Sequence, residues 1–287
     1  MTFQEALRFA KQQLGHANKE ARVAELLLMH VTTWSNATLF SRLSETIPDD
    51  LYQTYLSFLV RHIEDDVPLQ HLTEEEIFFG HSFYVNSDVL IPRFETEELV
   101  SKVLAFFDDH FDRPVRAVDL GTGSGAIAIT LAKEEPRIQV DAVDISDAAL
   151  QVAAQNAKTH NVTVTWYQGS WCAPLTHRYE LVVANPPYIP MEESLPRQIV
   201  AYEPHTALFG GIDGLAHYRE IFSQLPRVVA ASFLVAMEHG HQHATAIQGM
   251  AKEAFPEATI WSELDMQGKE RFTFVSQGLN EAKPMIG

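Results

Sequence analysis

The order of apolar runs predicts an α/β fold: a doubly wound, mostly parallel seven-stranded sheet, preceded by a small helical bundle and a β-hairpin linker. Three observations carry this reading. Residues 1–75 repeat apolar positions at helical spacing and hold no strand-like run. From Val115 onward, short β-branched runs alternate with helical stretches. Between the two, around Ile77–Pro92, β-type runs are broken by Gly80 and by Asn86-Ser87-Asp88. The expected domains are therefore 1–75, a linker over 76–94, and an α/β domain over 95–287.

In the helical part, Phe3, Leu7, Ala10 and Leu14 share a stripe, as do Val23, Leu26, Leu27 and His30. A third helix opens at Pro48-Asp49-Asp50 and aligns Leu51, Tyr55, Phe58, Leu59 and Ile63. The hairpin runs are Ile77–Gly80, Phe83–Val85 and Val89–Pro92, and a helix carrying Leu99, Val100, Val103, Leu104 and Phe107 follows. Strands are expected at Val115–Leu120, Ile138–Val143, Val162–Tyr167, Tyr179–Ala184, Phe233–Met237, Thr259–Leu264 and Phe272–Val275. Helices fall between them at Ala126–Lys133, from Ser146 (its cap) to about His160, at Gly214–Leu225 and at Gln242–Ala254. Alternating strand and helix implies parallel pairing with helices on both faces. Only Asp265–Glu270 joins the last two strands, too short for a parallel crossover, so the last strand should be antiparallel.

Composition narrows the function. The chain has 287 residues, 21 basic against 38 acidic, and a formal net charge of −17. Such a surface repels phosphate backbones, so direct nucleic-acid binding is not expected. Cys172 is the only cysteine, which excludes an internal disulfide; a buried apolar role is expected for it. No apolar run reaches the length of a membrane span, and Met1-Thr2-Phe3-Gln4-Glu5 lacks an apolar signal core, so the expectation is a cytoplasmic enzyme without a membrane partner.

Two loops carry chemistry. The first strand ends in Asp119-Leu120-Gly121-Thr122-Gly123-Ser124-Gly125 and opens a helix. Glycines allow a tight turn and a close ligand approach, and the helix N-terminus offers N–H groups. Asp144, closing the second strand, can accept from a ribose diol; the plainer alternative is that it caps the next helix. These features suit a nicotinamide enzyme and a methyltransferase equally.

The apolar run Leu181–Ala184 stops at Asn185-Pro186-Pro187-Tyr188. Neither proline can donate to a ladder, so the strand ends in a rigid loop at its carboxyl end, where open α/β sheets bind ligands. The Asn185 side-chain oxygen and the Pro186 carbonyl can each accept one N–H of a planar NH2 group. That orients its nitrogen toward a methyl donor, while Tyr188 can pack on the flat group. Hydride transfer has no use for such a loop.

With both loops in place, the chain resembles the class I S-adenosylmethionine-dependent methyltransferases that modify planar amino groups. More narrowly, Leu90-Ile91-Pro92-Arg93-Phe94-Glu95-Thr96-Glu97 and Tyr202-Glu203-Pro204-His205-Thr206-Ala207-Leu208 resemble the release-factor glutamine methyltransferases. The resemblance spans the whole chain. It implies S-adenosyl-L-methionine as cofactor, peptide chain release factors as protein substrate, and methylation of the side-chain amide of the glutamine in their Gly-Gly-Gln motif. It also implies that the helical N-terminal domain grips that substrate.

Carried over residue by residue, Gly121, Thr122, Gly123, Ser124 and Gly125 would cradle the cofactor's methionine end. Asp144 would hold its ribose and Trp171 would lie by its adenine. Asn185 would face both cofactor and substrate. Asn185, Pro186, Pro187 and Tyr188 would bind the glutamine, with Asn185, Pro186 and Tyr188 as the catalytic set. Arg93, Glu95 and Thr96 would line the pocket, and Glu203 and Pro204 would pack behind the catalytic loop. Phe94 stands where the family usually has proline, a change expected to alter only linker stiffness. Ser170 stands where an aspartate is common, with its oxygen left to accept from the adenine amine.

The nearest rival is an adenine-N6 methyltransferase of DNA or RNA, which uses the same loop; the acidic balance and the Glu203 segment count against it. His239-Gly240-His241-Gln242-His243 invites a metal, but methyl transfer from a sulfonium needs none, and a polar strand-to-helix turn is the reading adopted. Asp49-Asp50, Glu74-Glu75-Glu76 and Asp108-Asp109 are read as solvated faces, and Phe78, Phe79, Phe83 and Tyr84 as hairpin packing.

Overall fold

The computed structural model describes residues 1–279; residues 280–287 of the expected last domain lie outside the described residues. Two compact units form. Met1–Glu75 together with Pro196–Tyr202 makes one, and the remaining chain makes the other. This differs from the division expected above in two ways. The hairpin region belongs to the α/β unit rather than standing as a separate linker, and Pro196–Tyr202 leaves the α/β unit for the helical one.

The helical unit contains α1 (Phe3–His16), α2 (Val23–Thr32), α3 (Asn36–Ser41), α4 (Asp49–Glu64) and α5 (Leu69–Thr73). Thr2 and Glu5 form a reciprocal capping box at the start of α1. The α1 stripe Phe3, Leu7, Ala10, Leu14 is buried as expected. The α2 stripe is not the expected one: Val23, Ala24, Leu27 and Leu28 are buried, whereas His30 is exposed. The whole helix is apolar enough that spacing alone could not orient it. In α4, Tyr55 and Leu59 are buried, and Tyr55 Oη donates to the Ala24 carbonyl at 3.0 Å. His62 is buried too, its Nδ1 2.8 Å from the Val67 carbonyl, and burial lowers its pKa. Tyr202 packs against this core, and its hydroxyl donates to the Asp65 carbonyl at 2.7 Å.

In the α/β unit, β1 (Glu75–Phe78) and β2 (His81–Tyr84) form the hairpin, turned at Phe79 and Gly80 with φ of 53° and 74°. Two left-handed residues in succession make the turn that matches strand twist. Phe78 and Phe83 meet edge to face at 6.0 Å inside the main core, which holds the hairpin to this unit. Asn156 adds to that. Its Oδ1 accepts from Tyr84 N at 2.8 Å, and its Nδ2 donates to the Tyr84 and Ser124 carbonyls at 2.9 Å each. The expected third run, Val89–Pro92, forms no strand. Phe94 is not in a linker but opens helix α6 (Phe94–His110), where a proline's preset φ would have favoured the first turn.

Next come β3 (Val115–Leu120), α7 (Ala126–Glu134), β4 (Ile138–Asp144), α8 (Asp147–His160), β5 (Val164–Gln168) and β6 (Tyr179–Ala184). Two short helices, α9 (Arg197–Tyr202, the turns that join the helical unit) and α10 (His205–Leu208), fall where no element was expected. The chain closes with α11 (Ala216–Gln224), β7 (Val229–Glu238), α12 (Ala244–Ala254), β8 (Thr259–Leu264) and β9 (Glu270–Gln277). The sheet runs β5-β4-β3-β6-β7-β9-β8, with β9 antiparallel to both neighbours and the other pairings parallel. Strand order reverses between β3 and β6, which places a crevice at their carboxyl ends. Strand β7 begins earlier than expected because Ala230-Ala231-Ser232 extends it without a β-branched signal. Among the described residues, no helix is long and apolar enough to cross a membrane.

Candidate active site

The loop after β3 turns on glycines. Gly121, Gly123 and Gly125 all have left-handed φ, of 76°, 54° and 81°. At Gly121 a Cβ would lie 3.1 Å from Trp171 Cζ3, and at Gly125 it would meet Ile129 and Ala153 at 2.9 and 3.0 Å. So Gly125 serves the packing of α7 on α8, while Gly121 keeps space beside an indole. The N–H groups here are less available than the sequence suggested. Gly121 N and Thr122 N donate to the Val143 carbonyl at 2.8 and 3.0 Å. Gly123 N donates to Asp144 Oδ2 at 2.8 Å, and Ala128 N to Asp119 Oδ2 at 3.3 Å. The loop is thus held rigid against β4 and supplies chiefly a shape.

Asp119 anchors it from below. It is fully buried, accepts from Thr122 Oγ1 at 2.6 Å, and burial pushes its carboxyl up to about 7. Its Oδ1 has no hydrogen-bond partner among the described residues. Asp144 both braces the loop and starts α8, since Oδ1 accepts from Ser146 N at 2.9 Å. The cap proper is Ser146, whose hydroxyl accepts from Ala149 N at 3.2 Å. Each Asp144 oxygen keeps a lone pair for a diol, and burial raises the group's pKa. Trp171 is held at φ 48°, a conformation costly for an indole residue, with its ring 5.2 Å from that of His217. Ser170 donates its hydroxyl to Glu220 Oε1 at 2.6 Å, so its lone pairs stay available and a carboxylate stands beside it.

The loop after β6 is fixed from outside itself. Asn185 Nδ2 donates to Thr96 Oγ1 at 3.0 Å, and Thr96 Oγ1 lies 2.7 Å from Glu238 Oε2. The chain after Tyr188 is pinned by the segment past α10: Ile189 N donates to Leu208 O, Gly210 N to Ile189 O, and Met191 N to Gly211 O. A Cβ on Gly210 would sit 2.5 Å from the Pro187 carbonyl oxygen, and one on Gly214 would sit 2.3 Å from that of Tyr188. Backbone approaches of that closeness admit only glycine.

One cavity of about 680 Å³ joins the two loops, walled by Gly121, Gly123, Asp144, Trp171, Asn185 and Pro187. Thr122, Ser124 and Gly125 stand behind that wall as supports. The Pro186 ring is buried, its backbone carbonyl following directly on Asn185 in the loop, and Tyr188 is half-buried with its ring against the second core cluster. Arg93 and Thr96, expected in the pocket, are elsewhere. Arg93 pairs with Glu203 at 2.5 Å, and the other Glu203 oxygen accepts from Ile91 N at 3.2 Å. Thr96 is buried behind Asn185, while Glu95 is half-buried nearby. Pro204 reaches the cavity directly rather than lying behind the loop. Leu90, Met191, His205, His217 and Glu220 also contribute to the wall; no local pattern marked Met191, His217 or Glu220. Of the histidine run, His239 is buried, its Nε2 2.8 Å from Thr273 Oγ1 and its Nδ1 2.9 Å from the Gly240 carbonyl. Burial lowers it to about 4, so it is a neutral core residue. Cys172 is buried, as expected.

A cavity of this size suits a nucleoside-bearing ligand. The Asp144 carboxylate at the end of β4, the Trp171 indole beside Gly121 and the Asn185 amide share this wall. These residues fit S-adenosyl-L-methionine, and with the sheet order they define a class I S-adenosylmethionine-dependent methyltransferase. Comparison with known proteins agrees. Residues 95–201 match the methyltransferase small domain and residues 5–73 match the PrmC N-terminal domain. The release factor glutamine methyltransferase of Bacillus anthracis is 38% identical over 96% of this chain and 99% of its own length. That of Bacillus subtilis (strain 168) is 39% identical over 94% and 96%. Among solved structures, the T. Thermophilus 16S rRNA N2 G1207 methyltransferase, in complex with AdoMet and guanosine, shares the fold. Its TM-score is 0.52 at 12% identity, over 71% of this chain and 49% of that one. The chain belongs to the release factor glutamine methyltransferase family.

Proposed function

We propose that the protein methylates the side-chain amide nitrogen of the glutamine in the Gly-Gly-Gln motif of peptide chain release factors, yielding N5-methylglutamine. The observation that carries this is the placement of Asn185 on the wall of the same cavity as Asp144 and Trp171, with its Nδ2 turned away toward Thr96. That geometry leaves the Asn185 oxygen as an acceptor at the cavity. S-adenosyl-L-methionine supplies a methyl group carried on a sulfonium sulfur. The Asn185 oxygen and the Pro186 carbonyl each accept one N–H of the substrate amide. They orient its nitrogen and favour pyramidalisation toward the methyl group, which is catalysis by positioning and electrostatics. The displaced amide proton leaves after transfer, so no base is required. Tyr188 braces this loop from the core side, where burial pushes its hydroxyl up to about 12 and keeps it neutral.

The helical unit and the Pro196–Tyr202 segment serve the protein substrate in this reading, and the reaction takes place in the cytoplasm, where translation terminates. No nucleic acid is bound directly; the formal charge of −17 supports this. The test is transfer of labelled methyl from S-adenosyl-L-methionine to purified release factor, with DNA and RNA as parallel acceptors. Label on release factor, lost in Asn185→Ala with cofactor binding retained, is expected. Label on nucleic acid alone, or near-normal turnover by Asn185→Ala, overturns the proposal.

A further inference from the structure

Asn185 is useful only with its oxygen outward, yet an amide can rotate by half a turn at little steric cost. What sets its polarity lies behind it. Glu238 ends β7, is 2% exposed, and accepts at Oε2 from Thr96 Oγ1, 2.7 Å away. Thr96, in the first turns of α6, is 5% exposed and has one hydroxyl proton; its Oγ1 lies 3.0 Å from Asn185 Nδ2. A hydroxyl offers one donor and two lone pairs, and an ionised carboxylate only accepts. With Glu238 ionised, the Thr96 proton must point to Glu238, so Thr96 Oγ1 can only accept, and it accepts from the Asn185 amide. The order of donors is then set, and the Asn185 amide also reaches the Glu238 carboxylate directly, so both groups behind it act as acceptors for its NH2. With Glu238 protonated, its proton goes to Thr96 Oγ1. The Thr96 proton is released and can donate to a rotated Asn185 oxygen, which would turn an NH2 toward the substrate NH2.

We infer that Glu238 and Thr96 are positioning residues that set the polarity of the Asn185 amide, so that the methyl-accepting nitrogen meets an acceptor rather than a donor. This rests on the reading of Asn185 as the substrate clamp. The groups facing Glu238 are Glu95 and Thr96 from α6, Arg271 from β9, Tyr188 and Asn185 from the loop after β6, and Tyr218 from α11. Tyr218 donates its hydroxyl to the Glu238 backbone carbonyl at 2.7 Å, which fixes the strand end without satisfying the carboxylate. Arg271, Thr96 and Asn185 favour the charged form; burial and Glu95 oppose it, and the carboxyl is pushed up to about 7. Its two protonation states therefore interchange near neutral pH.

Thr96→Val is the nearly isosteric break, since it keeps the volume and removes the hydroxyl. With purified release factor as acceptor and saturating S-adenosyl-L-methionine, its kcat should fall at least about tenfold, while the cofactor Kd stays within about twofold. Thr96→Ser keeps the hydroxyl and should recover to within about threefold of the wild type. In the wild type, kcat should decline toward acid with an apparent pKa near that of Glu238. In Thr96→Val and in Glu238→Gln that limb should vanish, an outcome that a merely structural role would not produce. Unchanged kcat in Thr96→Val, or an acid limb that persists in both variants, overturns the inference. Asn185→Ala separates the two ideas. If it retains turnover, the clamp itself fails; if it is inactive while Thr96→Val is normal, the clamp stands and only the polarity relay fails.

Discussion

Two loops face each other across the cavity, and they are stabilised in opposite ways. The loop after β3 is organised by its own stretch and the adjacent strand: three left-handed glycines, two N–H groups on the Val143 carbonyl, and Asp144 on Gly123 N. The loop after β6 takes its stiffness from two prolines and its orientation from far along the chain. Thr96, Glu238, Gly210 and Gly214 hold it. The first loop shapes a receptacle and tolerates little extra volume; the second aims a polar group and tolerates little rotation. Damage to the first should therefore appear in cofactor affinity, and damage to the second in turnover.

The largest effect is expected for Gly210→Ala, which forces a methyl group to 2.5 Å from the Pro187 carbonyl oxygen and displaces the Asn185 loop. A shift of about 1 Å at a positioned group costs roughly 100-fold. So kcat for release factor methylation should drop by about that factor while calorimetric cofactor affinity changes little. Gly121→Ala tests the other side. Its added Cβ lies 3.1 Å from Trp171 Cζ3 on a left-handed backbone. Cofactor Kd should rise by about tenfold, roughly 1.4 kcal/mol, with kcat at saturating cofactor near the wild-type value. If Gly121→Ala instead lowers kcat and spares Kd, the contrast between the loops is wrong.

An effect on stability rather than on cofactor binding or turnover is expected for Arg93→Ala, which leaves the buried Glu203 carboxylate with only the Ile91 N–H. Loss of a charged partner for a buried group should cost about 1–3 kcal/mol, read from denaturant unfolding. The smallest concerns His239, which is buried and lowered by that burial to about 4 in the folded protein. Between its ordinary value near 6.5 and that lowered value, the unfolded chain binds a proton that the folded one refuses. Its contribution is thus intact above about pH 6.5 and is lost as pH falls toward 4. His239→Gln should flatten that part of the melting-temperature profile relative to wild type; an identical acid limb in both would show that other groups dominate it.

Much of the α/β unit was legible locally. Strands β3 and β6 fall at the expected residues, Ser146 caps α8, and the antiparallel last strand follows from the short Asp265–Glu270 connection. The errors came where burial is uniform or partners are distant. In α2, an almost wholly apolar sequence hides which face turns inward, so spacing puts His30 on the buried stripe whereas it is exposed. The hairpin looked like a linker because Asn156, which ties Tyr84 to the Ser124 carbonyl, lies in a helix far down the chain. Thr96 and Arg93 looked like pocket residues because a motif shows that residues matter without showing which way they point. One turns behind Asn185, and the other pairs with Glu203.

The amino-acid sequence by itself determined the order of strands and helices, the glycine turn, the rigid Asn185–Tyr188 loop and the chemistry these two suggest. Those follow from periodicity, φ preferences and hydrogen-bonding capacity, which are properties of neighbours in the chain. Only the tertiary structure decided that Asn185 and Asp144 share one cavity and that Glu238 stands behind Thr96. The reason is physical. The polarity of an amide is set by the groups it meets in space, and here these arrive from α6 and β7, 89 residues before Asn185 in one case and 142 residues beyond Thr96 in the other.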